Sequence, residues 1–276
     1  MPSQLLIAGH GYLGQELGRQ ALAADWQITA LSLSGGHDSL ACDLSNREAV
    51  TTLKSEILDL SSLILTASSG RGGPEAYRAV FLDGTRHLLD TFPTAHLLFV
   101  SSTSVYHQCD GSLVTEESPT LPDRETSQLL LEAESLVLGA RGTVARLAGI
   151  YGPGRSAILK RFLEGSAVIE EDGRRFLNQV HRHDAASALL HLASHPDTAR
   201  GQIYNVADSS PLHQGDCYHA LAQIFEKPVP PTGPRPEGRK RAWTHKRVSN
   251  AKLIATGWEP TFPSFVDAAR EVAESL

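Results

Sequence analysis

Cysteine is scarce in this chain. Its 276 residues hold three, Cys42, Cys109 and Cys217, far apart and odd in number. No pair has metal-ligand spacing and no disulfide framework is indicated, so a reducing, cytoplasmic setting is expected. Long apolar runs are lacking too. Leu5-Leu6-Ile7-Ala8 ends at a glycine, too short for a signal segment and without a basic flank. No stretch approaches the ~18–20 apolar residues that a membrane span needs. Positive charge is also short: 25 Lys and Arg stand against 31 Asp and Glu, a net −6. Nucleic acid and anionic membrane are therefore not expected partners. What remains is ordinary globular composition, 41% hydrophobic and 20% charged, which excludes a disordered or fibrous chain. At roughly 150 residues per domain, the length lies between one and two domains.

The first hundred residues alternate strand and helix. Apolar runs at 4–8, 27–33, 63–67 and 96–100 read as strands, with a short one at 40–44. Helical spacing covers 12–24 and 47–58, the latter with Ser45 or Asn46 as its cap. Pro74 opens a helix to about Asp90, a good first helical residue after the loop 70–73. Later come a loop over 110–124, a helix over 127–138 and a strand over 143–147. Five prolines crowd 228–236, a stretch unsuited to regular structure inside a core. The expected fold is α/β: a doubly wound parallel sheet over residues 1–150, with further core elements near 176–207. Residues 151–276 are expected to form mostly a small, irregular C-terminal lobe that does not fold independently.

Gly9-His10-Gly11-Tyr12-Leu13-Gly14 matches G-x-G-x-x-G. It follows a predicted strand and opens a predicted helix, the context that a dinucleotide site requires. The first glycine permits the tight turn, the second lets backbone approach a pyrophosphate, and the third allows close helix–strand packing. The acid that usually holds an adenosine ribose is missing. Leu31-Ser32-Leu33-Ser34 stands in its place, with neither acid nor cation between Trp26 and His37. Ser32, Ser34 and His37 could serve either a ribose hydroxyl or a 2′-phosphate. The expected cofactor is NAD or NADP, with a lean to NADP because nothing here repels a phosphate.

Three further segments carry a resemblance: Phe99-Val100-Ser101-Ser102-Thr103-Ser104-Val105-Tyr106, Arg146-Leu147-Ala148-Gly149-Ile150-Tyr151-Gly152-Pro153-Gly154, and Gly257-Trp258-Glu259-Pro260 preceded by Lys246–Leu253. With the glycine turn, they make the chain resemble the extended short-chain dehydrogenase/reductases, in particular their nucleoside-diphosphate-sugar epimerase-like branch. The resemblance runs in order over almost the whole chain. It implies a Rossmann sheet with a C-terminal substrate lobe. It also implies pyrophosphate contacts at Gly9, Gly11, Tyr12, Leu13 and Gly14, adenine contacts at Asp43 and Leu44, and a cofactor-facing Ala67. Ser102 takes the place of the family's catalytic Ser or Thr. The helices 74–90 and 127–138 are those the family often uses for a homodimer.

The family's central pair does not carry over. It needs Tyr and Lys four apart on one helix face, so that the cation lowers the phenol pKa for proton exchange with an alcohol or ketone. Aligned on Ala133-Glu134, Thr126 and Leu130 fill those places, and no Tyr-x-x-x-Lys occurs anywhere in the chain. Tyr106 stands either as a substitute acid or as a ring packed against the following loop. Glu125 stands either as a general base, if burial raises its pKa, or as a solvated charge at a helix start. His181-Arg182-His183-Asp184 looks like a metal cluster but is read as structural, with Asp184 capping 185–193. Seven basic residues from Arg235 to Lys252 face one acid, Glu237. They form either a local anion patch, with Arg241 and Arg247 as substrate contacts, or a solvated loop. Two functions follow. One is an NAD(P)-dependent epimerase or reductase acting on a sugar or other hydroxyl or carbonyl compound, nucleotide-activated ones included, with nonstandard acid–base groups. The other is a dinucleotide-binding sensor without turnover.

Overall fold

A computed structural model describes residues 3–36, 38–70, 72–235 and 244–276. The strand–helix alternation of the first half becomes β1 (Gln4–Ala8), α1 (Tyr12–Ala23), β2 (Gln27–Ser32), β3 (Leu40–Ala41), α2 (Arg47–Thr52) and β4 (Ser62–Leu65). A long helical rod follows, made of α3 (Pro74–Tyr77), a stretch of wider π turns (Arg78–Asp83) and α4 (Gly84–Thr91). Then come β5 (His96–Ser102), β6 (Leu113–Val114), α5 (Glu125–Gly139) and β7 (Thr143–Leu147). Beyond these the elements shorten: β8 (Gly149–Tyr151), α6 (Ala157–Leu163), β9 (Ile169–Glu170), β10 (Phe176–Leu177), β11 (Gln179–His181), α7 (Arg182–Ser194), α8 (Pro196–Ala199) and β12 (Ile203–Val206). The last part adds β13 (Leu212–His213), α9 (Gln214–Phe225), β14 (Thr232–Gly233) and β15 (Arg247–Val248).

Seven strands form one parallel sheet in the order β12-β7-β5-β4-β1-β2-β3. The chain builds outward from β1 to β3, then returns to the other side of β1 with β4 and builds outward again. The order therefore reverses between β1 and β4, where doubly wound sheets bind ligands beyond their strand carboxyl ends. Register is fixed by burial on both faces: Ile7 lies level with Ala30 on one side and Ile64 on the other. Leu5, Leu6 and Ile7 are all at most 1% exposed, each stabilising the fold by about 1.5–3 kcal/mol. α1 buries Leu13, Leu17 and Ala21, four residues apart, against this sheet. Among the described residues no helix is long and apolar enough to cross a membrane.

The chain divides into two compact units. The first comprises the chain up to Val105, Leu121–Arg146 and Ala186–Tyr204; the second comprises Tyr106–Thr120, Leu147–Ala185 and Asn205–Leu276. The second unit has its own core, in which Tyr151, Leu159, Phe162, Leu221 and Val272 are at most 3% exposed.

Several sequence expectations shift. The expected helix over 47–58 stops being α-helical at Thr52 and tightens into a single narrower turn, Leu53–Ser55; Asn46 rather than Ser45 caps it, accepting from Glu48 and Ala49 amides. The proline-rich stretch contributes the two-residue β14, paired in parallel with β9. Asp184 is not the cap of its helix. α7 begins at Arg182, and the Asp184 carboxylate instead accepts the amides of Thr261 at 2.8 Å and Phe262 at 2.9 Å. His181 packs edge-on against Tyr151 and Phe262. Among the described residues no group of three metal-ligating side chains converges.

Candidate functional site

The glycine turn leaves β1 at the point where strand order reverses. Gly9 has φ +122, a conformation that L side chains rarely adopt. A Cβ there would lie 2.2 Å from the Ala67 amide nitrogen, so the turn rests directly on the end of β4. Thr66 Oγ1 donates to the Gly9 carbonyl at 2.7 Å, and the Gly9 and His10 amides both donate to Leu31 O. A Cβ on Gly14 would lie 2.1 Å from the Gly9 carbonyl oxygen. The fold itself thus requires glycine at positions 9 and 14.

Gly11 is different. It is exposed, and a Cβ there would meet nothing within 4 Å. Nothing among the described residues demands glycine at this place. The absent side chain leaves a cradle at the mouth of α1, of which Gly11 is the N-cap. No side chain caps this helix and no acid lies in its first turn, whereas α2 has both Asn46 and Glu48. The amides of a first helical turn have no helical acceptors and attract anions. An open cradle over an uncapped helix end fits a pyrophosphate group. The Leu13 side chain is in the core, so only its amide, with that of Tyr12, is offered to such a group.

At the end of β2, Ser32 Oγ lies 2.9 Å from Ser39 Oγ, and Ser34 is exposed with one long contact, 3.5 Å, to Gly35 O. His37 lies outside the described residues. Asp43 Oδ1 accepts the Ser45 amide and hydroxyl at 2.9 and 2.7 Å. The Leu44 side chain is buried, and its carbonyl accepts from His87 Nδ1 at 2.9 Å. Ala67 remains half-buried beside the glycine turn.

Ser101 and Ser102 end β5, and strand alternation points them to opposite faces. Ser101 is buried and donates to Glu134 Oε1 at 2.6 Å. Glu134 also holds Arg146 through Nη2 at 2.6 Å and Nε at 3.1 Å. These buried groups tie β5, α5 and β7 together beneath Ser102. Ser102 itself is half-buried, and its Oγ accepts the Ser104 amide at 3.1 Å. That bond leaves the hydroxyl proton for an outside acceptor. Two strand spacings separate β5 from β1, roughly 10 Å.

The remaining catalytic candidates fare otherwise. Tyr106 is fully buried, and its hydroxyl donates to Asn205 Oδ1 at 3.0 Å. Its phenol is turned into the interior of the second unit and not towards solvent. Glu125 is exposed in the first turn of α5, so the burial that a base role requires is missing. Leu130 is 4% exposed and belongs to the core.

The basic segment does not form one patch among its described residues. Lys246 turns inward, 3% exposed, and donates from Nζ to Tyr106 O; its cation lies 5.8 Å from the Tyr106 ring centre. Burial pushes its pKa down to about 8. Arg235 pairs with Glu171 at 3.0 Å, and Arg247 is exposed on β15. Arg239, Lys240 and Arg241 lie outside the described residues. The meeting of Lys246 with Tyr106 spans 140 residues of chain, and no local pattern announces it.

Comparison with known proteins agrees with this geometry. The model of the NAD dependent epimerase/dehydratase family matches residues 5–207. A candidate NAD-dependent epimerase/dehydratase from Methylobacillus flagellatus is 27% identical over 99% of this chain and 98% of its own, with a TM-score of 0.79. Human epimerase family protein SDR39U1 (isoform 2), solved with NADPH, is 20% identical over 99% of this chain and 100% of its own, with a TM-score of 0.80. Thermus thermophilus UDP-glucose 4-epimerase, solved with NAD, is 19% identical over 99% of this chain and 98% of its own, with a TM-score of 0.78. A seven-stranded doubly wound sheet, a glycine turn at its switch point and a family match over most of the length lead to one conclusion: this chain belongs to the NAD-dependent epimerase/dehydratase family.

Proposed function

We propose that the protein binds NAD(P) at the glycine turn and acts on a sugar or other hydroxyl or carbonyl compound, nucleotide-activated ones included. The observation that carries this reading is Gly11: the fold has no use for a glycine there, and an anion at an uncapped helix end does. When bound, the dinucleotide would supply a hydride donor or acceptor. Gly9, Gly11 and Gly14 with the Tyr12 and Leu13 amides would hold its pyrophosphate. Ser32 and Ser34 would face the adenosine ribose, with Asp43, Leu44 and Ala67 beside the ring systems. The relatives solved with NAD and with NADPH support the dinucleotide class. The absence of any acid at Leu31–Ser34 favours NADP. Ser102, with a free hydroxyl proton at a strand carboxyl end, would hydrogen-bond the reacting oxygen of the substrate.

A second reading is a dinucleotide sensor without turnover. Two placements favour it, the buried Tyr106 and the exposed Glu125, and so does the resemblance, which implies Tyr and Lys where this chain has Thr126 and Leu130. Reduced and oxidised cofactors should be titrated first, then turnover followed by nicotinamide fluorescence with nucleotide sugars and small ketones. The enzyme reading expects Ser102→Ala to lower turnover by about a hundredfold while Leu130→Ala leaves it within a few-fold. Turnover insensitive to Ser102 overturns the site assignment. Tight cofactor binding without any turnover selects the sensor.

A further inference from the structure

The end of β2 meets a residue that the sequence does not single out. β3 returns parallel to β2, with Leu31 level with Leu40 and Ser32 level with Ala41. The turn between them closes through the Gly36 amide, which donates to Ser39 O at 3.0 Å. It sets Ser39 Oγ 2.9 Å from Ser32 Oγ, and both residues are half-buried. The same strand end is tied to the glycine turn of the first unit, because Leu31 O accepts the Gly9 and His10 amides at 3.0 and 2.7 Å. The hydroxyl pair therefore begins at the residue next to the anchor of the candidate pyrophosphate cradle.

Each hydroxyl has a single proton. One of the two protons lies within the Ser32–Ser39 bond, and neither oxygen has another partner among the described residues. The other proton is left for an outside acceptor. The hydroxyl that offers it also accepts from its neighbour, which polarises it into a stronger donor.

Backbone donors follow the pair along the chain. The amides of Leu33, Ser34 and Gly35 have no acceptor among the described residues. Gly35 is left-handed, φ +70, and successive amides in such turns form anion-binding concavities. Asp38, the acid of this turn, is exposed and bonds to neither hydroxyl. An adenosine ribose with a free 2′-hydroxyl is ordinarily held by a carboxylate at the end of this strand. Hydroxyl and amide donors suit a 2′-phosphate instead, and hydrogen bonds to an ionised acceptor are roughly twice as strong as neutral ones.

We infer that Ser39 is a specificity-determining residue: with Ser32 it reads the 2′-phosphate of NADP, a role that rests on the dinucleotide binding proposed above. β2 itself carries only half of this reader. Ser34, the next serine along the chain, is exposed and has one long contact, to Gly35 O at 3.5 Å. Ser39 comes from the far side of the turn, seven residues after Ser32. Removing its hydroxyl takes away the neighbour that orients and polarises Ser32 Oγ.

The test is calorimetric titration of the full chain with NADPH and with NADH, for the parent, Ser39→Ala, Ser39→Asp and Asp38→Asn, each checked for folding by circular dichroism. The parent should prefer NADPH. Ser39→Ala should weaken NADPH at least about fivefold and leave NADH within about twofold, as the loss of a hydrogen bond to a charged group predicts. Ser39→Asp, which sets a carboxylate against the phosphate, should turn the preference to NADH, and it decides should the alanine variant fail to fold. Asp38→Asn, at an exposed and screened charge, should leave both affinities within about threefold. A parent that prefers NADH, a ratio unmoved by either Ser39 variant, or NADH binding that depends on Asp38 overturns the role of Ser39 and leaves dinucleotide binding standing. A parent that binds neither nucleotide overturns the dinucleotide reading and the role of Ser39 with it.

Discussion

Replacing Glu134 by Gln tests the buried support of the candidate catalytic strand. Glu134 is 2% exposed and Arg146 4%. The carboxylate accepts from Arg146 Nε and Nη2 and from Ser101 Oγ. Glutamine keeps the shape but removes the charge and turns an N–H₂ donor towards a guanidinium that only donates. Breaking one partner of a buried pair costs about 3–5 kcal/mol, because the other charge stays in low dielectric. For a chain of this size that is a fall in melting temperature of roughly 10 °C. Thermal and urea unfolding measure it. The paired variant Glu134→Leu/Arg146→Met should recover most of the loss, since no charge is left uncompensated. It should stop short by about 1–3 kcal/mol, because the Ser101 hydroxyl loses its acceptor. Adding Ser101→Ala should close that gap. A Glu134→Gln protein within about 1 kcal/mol of the parent refutes the assignment of this network as a buried, uncompensated-charge trap.

Two further outcomes follow from individual groups. Asp208 is 2% exposed, and burial, then Asp267 and Asp184, hold its pKa well above 3.8. The folded state therefore binds this proton more tightly than the unfolded one, so stability is lost as pH rises from 3.8 through the folded pKa. Asp208→Asn should raise the melting temperature at pH 8 and change it little at pH 4; equal shifts at both would refute the cause. At the cofactor edge, the parent should separate NADPH from NADH by only about 1–2 kcal/mol, and Ser34→Asp should move preference towards NADH by repelling a 2′-phosphate. A parent that discriminates by more than about a thousandfold has another residue reading the ribose.

Much of the first unit was legible in the sequence because its rules are local. Leu5–Ala8 before a glycine, helical spacing at Leu13, Leu17 and Ala21, and the strand expected over 96–100, which runs on to Ser102, all follow from periodicity and turn chemistry within a few residues. Gly9 and Gly14 are legible for the same reason, although only the structure separates them, required by the fold, from Gly11, which is not. What escaped is long-range. Asp184 has the local look of a helix cap, yet it bonds amides 77 and 78 residues away. Lys246 reads as one of a run of solvated cations, yet Tyr106 draws it inside. The π turns at Arg78–Asp83 fall inside the helix expected over 74–90, and nothing in its sequence marks them.

The most direct test of the central claim is the affinity of the parent and of Gly11→Val for NADPH and NADH, measured by calorimetry on proteins shown to be folded. Because a Cβ at position 11 meets no protein atom within 4 Å, the valine should leave the melting temperature nearly unchanged. The same side chain would fill the cradle over the helix end, so binding should weaken at least about a hundredfold, close to 3 kcal/mol. Equal affinity in parent and variant would contradict the account, and so would a parent that binds neither nucleotide.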